Sequence, residues 1–151
     1  MNMNTNTNGN DPTKTLLEEM YKNVKMGCEN IVGVIPKVED KFMLSELTAR
    51  LEQFSSYSEQ ISAMMYERGW TPKEPGMGEK LASKTGIAVN TMIDSTSSHI
   101  AEMFIKGSEM GIQKLEEARR SADGCDRKAV GLCERIIDGE RRGNRKMEEF
   151  L

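Results

Sequence analysis

The sequence predicts an all-α fold, a bundle of four helices, on three observations. Apolar residues recur at alternating three- and four-residue steps through long segments, the period of a helix with one buried face. Only 5% of the 151 residues are aromatic while 30% are charged, so straight-chain helix formers outweigh rigid strand formers. The breaks between periodic segments fall on proline, glycine and capping residues, and no alternating strand pattern competes.

The first segment, TKTLLEEMYKNVKMGCENIVGVI, carries Leu17, Met20, Val24, Cys28, Ile31 and Ile35 on one stripe. Thr13 or Thr15 caps its start, and Pro36 ends or kinks it because proline has no backbone N–H to donate. The second opens after Asp40, a good N-cap, and runs through Leu44, Leu47, Leu51, Phe54, Ile61 and Met65. It stops at ERGWTP. Gly69 suits a left-handed C-terminal cap, Trp70 supplies its hydrophobic partner and Pro72 blocks continuation. After the connection TPKEPGMG, a third helix is expected from about Glu79 to about Arg120, burying Val89, Met92, Thr96, Met103, Met110 and Leu115. Its glycines Gly86, Gly107 and Gly111 each cost about 1 kcal/mol relative to alanine, so a break near its start or at Gly107 is expected. After SADGCD, a fourth helix spans roughly Asp126 to Glu149 with Val130, Cys133, Ile137, Asn144 and Met147 inward. The short link makes the first two helices an antiparallel hairpin. Up-down-up-down and crossover topologies both stay open for the rest.

One domain over residues 13–151 fits this length, preceded by a tail over residues 1–12. MNMNTNTNGNDP has neither the positive patch nor the apolar core of a signal peptide. It reads as disordered, because it can bury nothing to offset its ordering entropy. No apolar run approaches the roughly 20 residues that span a bilayer, and the formal net charge of -3 is too small to argue for nucleic acid or an anionic membrane, so neither is expected as partner. Cys28, Cys125 and Cys133 form no CxxC pair, which counts against a disulfide framework or zinc ribbon. A cytoplasmic location is the expectation.

LLEEMYKNVKMGCENI on the first helix, YERGWTP ending the second and LCERIIDGE on the fourth resemble the ferritin-like superfamily. More narrowly, they are similar to small bacterial ferritin-like proteins of uncharacterised function. The resemblance covers nearly everything after the tail and implies a ferritin-like antiparallel four-helix bundle. Di-metal members of that fold take one Glu from each of two helices and a Glu-x-x-His pair from each of the other two. One histidine in the chain, His99, cannot supply two such pairs. Glu29 stands about where the first ligand falls; Gln53 and Tyr57 occupy the second helix's ligand neighbourhood; Glu134 is followed at the histidine's spacing by Ile137. The implied site is therefore degenerate or absent.

Two readings of STSSHIAEMF follow. In the plainer one His99 is a helix-edge histidine bonded to a neighbour or to water. In the sharper one Glu29, His99, Glu102 and Glu134 form a mixed site for iron, manganese or zinc, since imidazole and carboxylate suit all three. A two-fold dimer supplies a second His99.

Glu134, Asp138 and Glu140 are expected to be solvated or paired, with Arg135, Arg141 and Arg142 at hand. The methionines, including Met26, Met43 and Met64 beside the core line, are expected to fill core or interface rather than bind copper. The basic residues near the C-terminus are interleaved with acidic ones and form no clean nucleic-acid patch. No phosphate loop or nucleophile elbow is present.

The expected protein is thus a non-catalytic binding or structural bundle that forms a homo-oligomer, a dimer, through its wide apolar stripes. The alternative is a metal-handling or oxidative-stress protein using the four residues above.

Overall fold

Asp11 and Pro12 start the first helix, with the cap two residues ahead of Thr13, the nearer of the two expected threonine caps. In the computed structural model, which describes residues 11–74 and 94–151, the Asp11 carboxylate accepts the Thr13 N–H at 2.9 Å and Pro12 takes the first helical position. Proline costs nothing there, because that N–H has no partner within the helix anyway. Helix α1 spans Pro12–Val34 and runs into a 3-10 turn at Ile35–Lys37, where Pro36 forbids further α-helix. Helix α2 spans Lys41–Glu67; Asp40 caps it by accepting from Phe42 N at 2.8 Å and Met43 N at 2.9 Å. It closes as the residues predict. Gly69 takes φ +73°, Trp70 N–H donates to Met65 O and Gly69 N–H to Tyr66 O, a Schellman pair.

Helix α3 spans Ser97–Arg120 and α4 spans Arg127–Glu148. The expected start of the third helix near Glu79, with Val89 and Met92, lies outside the described residues, as does the tail before Asp11. Within them, Asp94 to Thr96 are not helical, and Thr96 caps α3 by accepting from His99 N at 3.3 Å. Gly107 sits inside an unbroken helix. The α3 core face also differs from the expected one: Ile100, Ala101, Ser108, Ile112 and Leu115 are buried, while Met110 is 57% exposed.

The topology follows from which ends meet. Asp126 N–H donates to Thr13 Oγ1 at 3.0 Å, so α1 and α4 begin at the same end of the bundle. Arg68, just past α2, pairs with Asp126 there, and Glu46 near the start of α2 pairs with Lys146 near the end of α4 at 3.1 Å. Helices α1 and α4 therefore run one way and α2 the other, and α3 runs with α2, since Arg119 near its end faces Glu134 while Ser108, earlier in it, meets Glu140 further along α4. Helix α1 packs on α2 and α3, and α4 packs on the same two. Since α2 ends where α3 ends, the link between them joins opposite ends of the bundle, a crossover rather than an up-down-up-down order. Its first described residues already turn back along α1, where Tyr21 OH donates to Glu74 at 2.8 Å.

The core fills the space between the four helices with Leu16, Leu17, Met20, Ile31, Met43, Leu47, Ile61, Met65, Leu132 and Ile136, all essentially inaccessible. Among the described residues no helix is long and apolar enough to cross a membrane.

Candidate functional site

A charged network interrupts this apolar interior. Arg50 of α2 sits on the same stripe as Leu47 and Phe54 and is only 7% exposed; Glu140 of α4 is 4% exposed. Arg50 Nη2 donates to Glu140 Oε2 at 3.1 Å, to Ser108 Oγ of α3 at 3.0 Å and, more distantly, to Asn144 Oδ1 at 3.5 Å. Ser108 Oγ–H in turn donates to Glu140 Oε2. The guanidinium carbon lies 5.6 Å from the centre of the Phe54 ring, within cation–π range. Three helices supply the polar atoms and the fourth supplies space.

That space depends on glycines. A Cβ at Gly27 of α1 would come within 2.6 Å of Phe54 Cε2, so only glycine lets the ring lie against α1 and over Arg50. A Cβ at Gly143 of α4 would come within 3.1 Å of Arg50 Cζ. One turn along, a Cβ at Gly139 would meet Tyr57 OH at 3.1 Å and Gln53 at 3.4 Å, which brings those two side chains of α2 against α4. Tyr57 OH donates to Arg135 O at 3.3 Å. Burial pushes the Tyr57 hydroxyl pKa up, opposed by the nearby charges of Arg142 and Arg135, so it remains a neutral donor.

The four carboxylate and imidazole residues singled out in the sequence do not share one level. Glu134 is exposed on α4 and faces Arg119 of α3 at 3.5 Å. Because Thr13 and Asp126 are level, Glu29 lies about eight residues further down the bundle than Glu134, roughly 12 Å at 1.5 Å per residue. Cys133 Sγ–H meets Leu115 O at 3.8 Å, which puts Glu102 about 18 Å further along than Glu134 by the same rise. Glu102 is exposed; Glu29 and His99 are half-buried, and His99 Nε2 is buried without a hydrogen-bond partner among the described residues. Among those residues no three His, Cys, Asp or Glu side chains converge as a metal site would require. The acidic cluster divides as well. Asp138 and Glu116 pair with Arg141 at the surface, whereas Glu140 turns inward.

The expectation for Glu140 is met only in part: it is paired, but buried and with Arg50 of another helix rather than with Arg135, Arg141 or Arg142. Arg50 and Glu140 both continue the three- and four-residue steps of an apolar stripe, Leu47–Arg50–Phe54 and Ile137–Glu140–Asn144, so a charge at a core position was on view in each helix. Only the crossover topology, which aligns α2 against α4, brings the two together. Comparison with protein-family models, curated proteins and solved structures gives no match for this chain.

Proposed function

We propose that this protein is a non-catalytic bundle of the ferritin-like type whose di-metal site is lost or reduced, and that it works through protein contacts. The observation that carries this is the guanidinium of Arg50 at the centre of the bundle, on oxygens from α3 and α4. Arginine is permanently charged, so Glu140 already has its counter-ion, and a metal would have to displace a tethered cation to reach it. A single crossover between two helix hairpins is also the arrangement of ferritin-like folds. Three unpaired thiols suit a reducing compartment such as the cytoplasm.

The contacts proposed include a second copy of the chain. Val32 near the end of α1, Phe42 in the first turn of α2 and Leu151 after α4 are 58%, 80% and 64% exposed, and all three belong to the same end of the bundle. Size-exclusion chromatography with light scattering tests this. The expected result is a dimer that Phe42→Glu converts to a monomer of unchanged helicity; a monomeric wild-type protein at high micromolar concentration contradicts it.

A second reading rests on His99. The buried Nε2 of His99 has no hydrogen-bond partner among the described residues and Glu102 follows three residues on, so a two-fold dimer that brings a second such pair into reach would supply the ligands of a metal without Glu134. In that reading the protein handles iron, manganese or zinc, and His99→Ala removes the bound metal; a variant with full metal content excludes it.

A further inference from the structure

We propose that the polar core of the bundle is a recognition site for a planar guanidinium-type cation, and that Arg50 is its built-in occupant. The inference rests on the reading of Arg50 as the cation of the core and adds the chemical class that the surrounding walls select. Four walls are on view. Glu140 supplies the opposite charge, Ser108 and Asn144 supply neutral oxygens, Phe54 supplies an aromatic face at 5.6 Å, and Gly143 leaves a gap where a Cβ would press to 3.1 Å on the guanidinium carbon. A carboxylate with an aromatic plate and a flat glycine wall fits a flat delocalised cation. A divalent metal gains nothing from the ring and wants more than one carboxylate.

The tether leaves part of the site unused. Arg50 reaches all three oxygens through Nη2, while Nη1 and Glu140 Oε1 are buried with no hydrogen-bond partner among the described residues. A free guanidinium in the same cradle is not held by a backbone. It can turn to set two parallel N–H donors on both Glu140 oxygens, the stronger arrangement for this pair. Truncating Arg50 therefore exposes a site that exogenous cation of the same shape fills.

The test is chemical rescue of the full chain. Arg50→Ala lowers the thermal midpoint, and N-ethylguanidinium chloride at millimolar concentration raises it again, saturably, by at least a third of the loss, because a ligand that binds only the folded state stabilises it. Equal concentrations of potassium chloride, tetramethylammonium chloride or manganous chloride leave the midpoint of the variant where it was, and ethylguanidinium does not raise that of the wild type. Adding Glu140→Gln to Arg50→Ala abolishes the rescue. An equal rise with potassium or manganese, no rise with ethylguanidinium, or rescue that survives Glu140→Gln overturns the proposal. Where Arg50→Ala does not fold alone, the yield of refolding from urea with and without ethylguanidinium is read instead, and no folded protein in either also overturns it. Metal content and oligomeric state of the wild type are separate readouts, so failure here is distinct from failure of the proposed function.

Discussion

Arg50 and Glu140 stabilise the bundle only as a pair. Taking two charges out of water costs several kcal/mol each, which the contact at 3.1 Å and the bonds to Ser108 largely offset. Removing one partner strands the other, so Arg50→Met and Glu140→Leu alone are each expected to cost about 3–5 kcal/mol in urea unfolding. The double variant is expected to be within about 1 kcal/mol of wild type or more stable, because two apolar groups strand no charge. A double variant as weak as the sum of the singles would show that the pair does not act as a unit. Cys133 makes a second prediction at this scale. Its thiol is fully buried and burial pushes its pKa to about 11, above the usual thiol value. The thiolate is the reactive form, so at pH 8 Cys133 stays almost wholly protonated, and its burial keeps reagent away. Alkylation of the native protein is expected at the half-buried Cys28 and Cys125 but not at Cys133 until the chain unfolds, as peptide mass spectrometry would report. The stripe period showed Cys133 and Asn144 as inward residues but did not pair Arg50 with Glu140, because a stripe carries no information on what faces it across the bundle.

The helices themselves were readable where their ends carry cap chemistry. Asp40, Asp126, Gly69 and Pro36 each do what their side chains or backbone require, and three of the four helices start within a residue or two of expectation. The expected start of the third, near Glu79, lies outside the described residues; within them Asp94 to Thr96 interrupt the expected run, and Thr96 is an N-cap as good as Asp40. Glycine was the less readable residue. Gly107 has open space around its missing Cβ, so Gly107→Ala is expected to stabilise by up to about 1 kcal/mol through helix propensity alone. Gly27→Ala has the opposite sign. Its Cβ would lie 2.6 Å from the Phe54 ring, and overpacking of this kind costs about 1–3 kcal/mol. Thermal melts of the two variants give midpoints on opposite sides of wild type, and a shift of the same sign in both would contradict the packing described. Propensity alone treats these two glycines alike. Packing separates them.

At the scale of the molecule the pairings decide the topology: Thr13 with Asp126, Arg68 with Asp126 and Glu46 with Lys146 orient α1, α2 and α4, and Arg119 with Glu134 and Ser108 with Glu140 set α3 parallel to α2. The stripes predicted four faces but not their order around the bundle, since any antiparallel or crossover arrangement buries the same stripes. Tyr21 ties the returning chain to α1 through Glu74, and burial first, then that hydrogen bond, raises its pKa to about 12. The sign follows. A folded pKa above the ordinary value of 10.0 favours the neutral phenol, so its stabilisation is full below pH 10 and is lost as pH rises from there toward 12. Tyr21→Phe is expected to flatten that alkaline loss in unfolding measured as the pH is raised from 10.0 toward 12. The central proposal is that the di-metal site of this bundle is lost or reduced, the charge of Glu140 being met by a tethered guanidinium. Elemental analysis of the purified, untagged protein, made without chelators and repeated after incubation with ferrous iron, tests it most directly. The account predicts background metal in both samples; one or two ions per chain, lost in His99→Ala or Glu29→Ala, would contradict it.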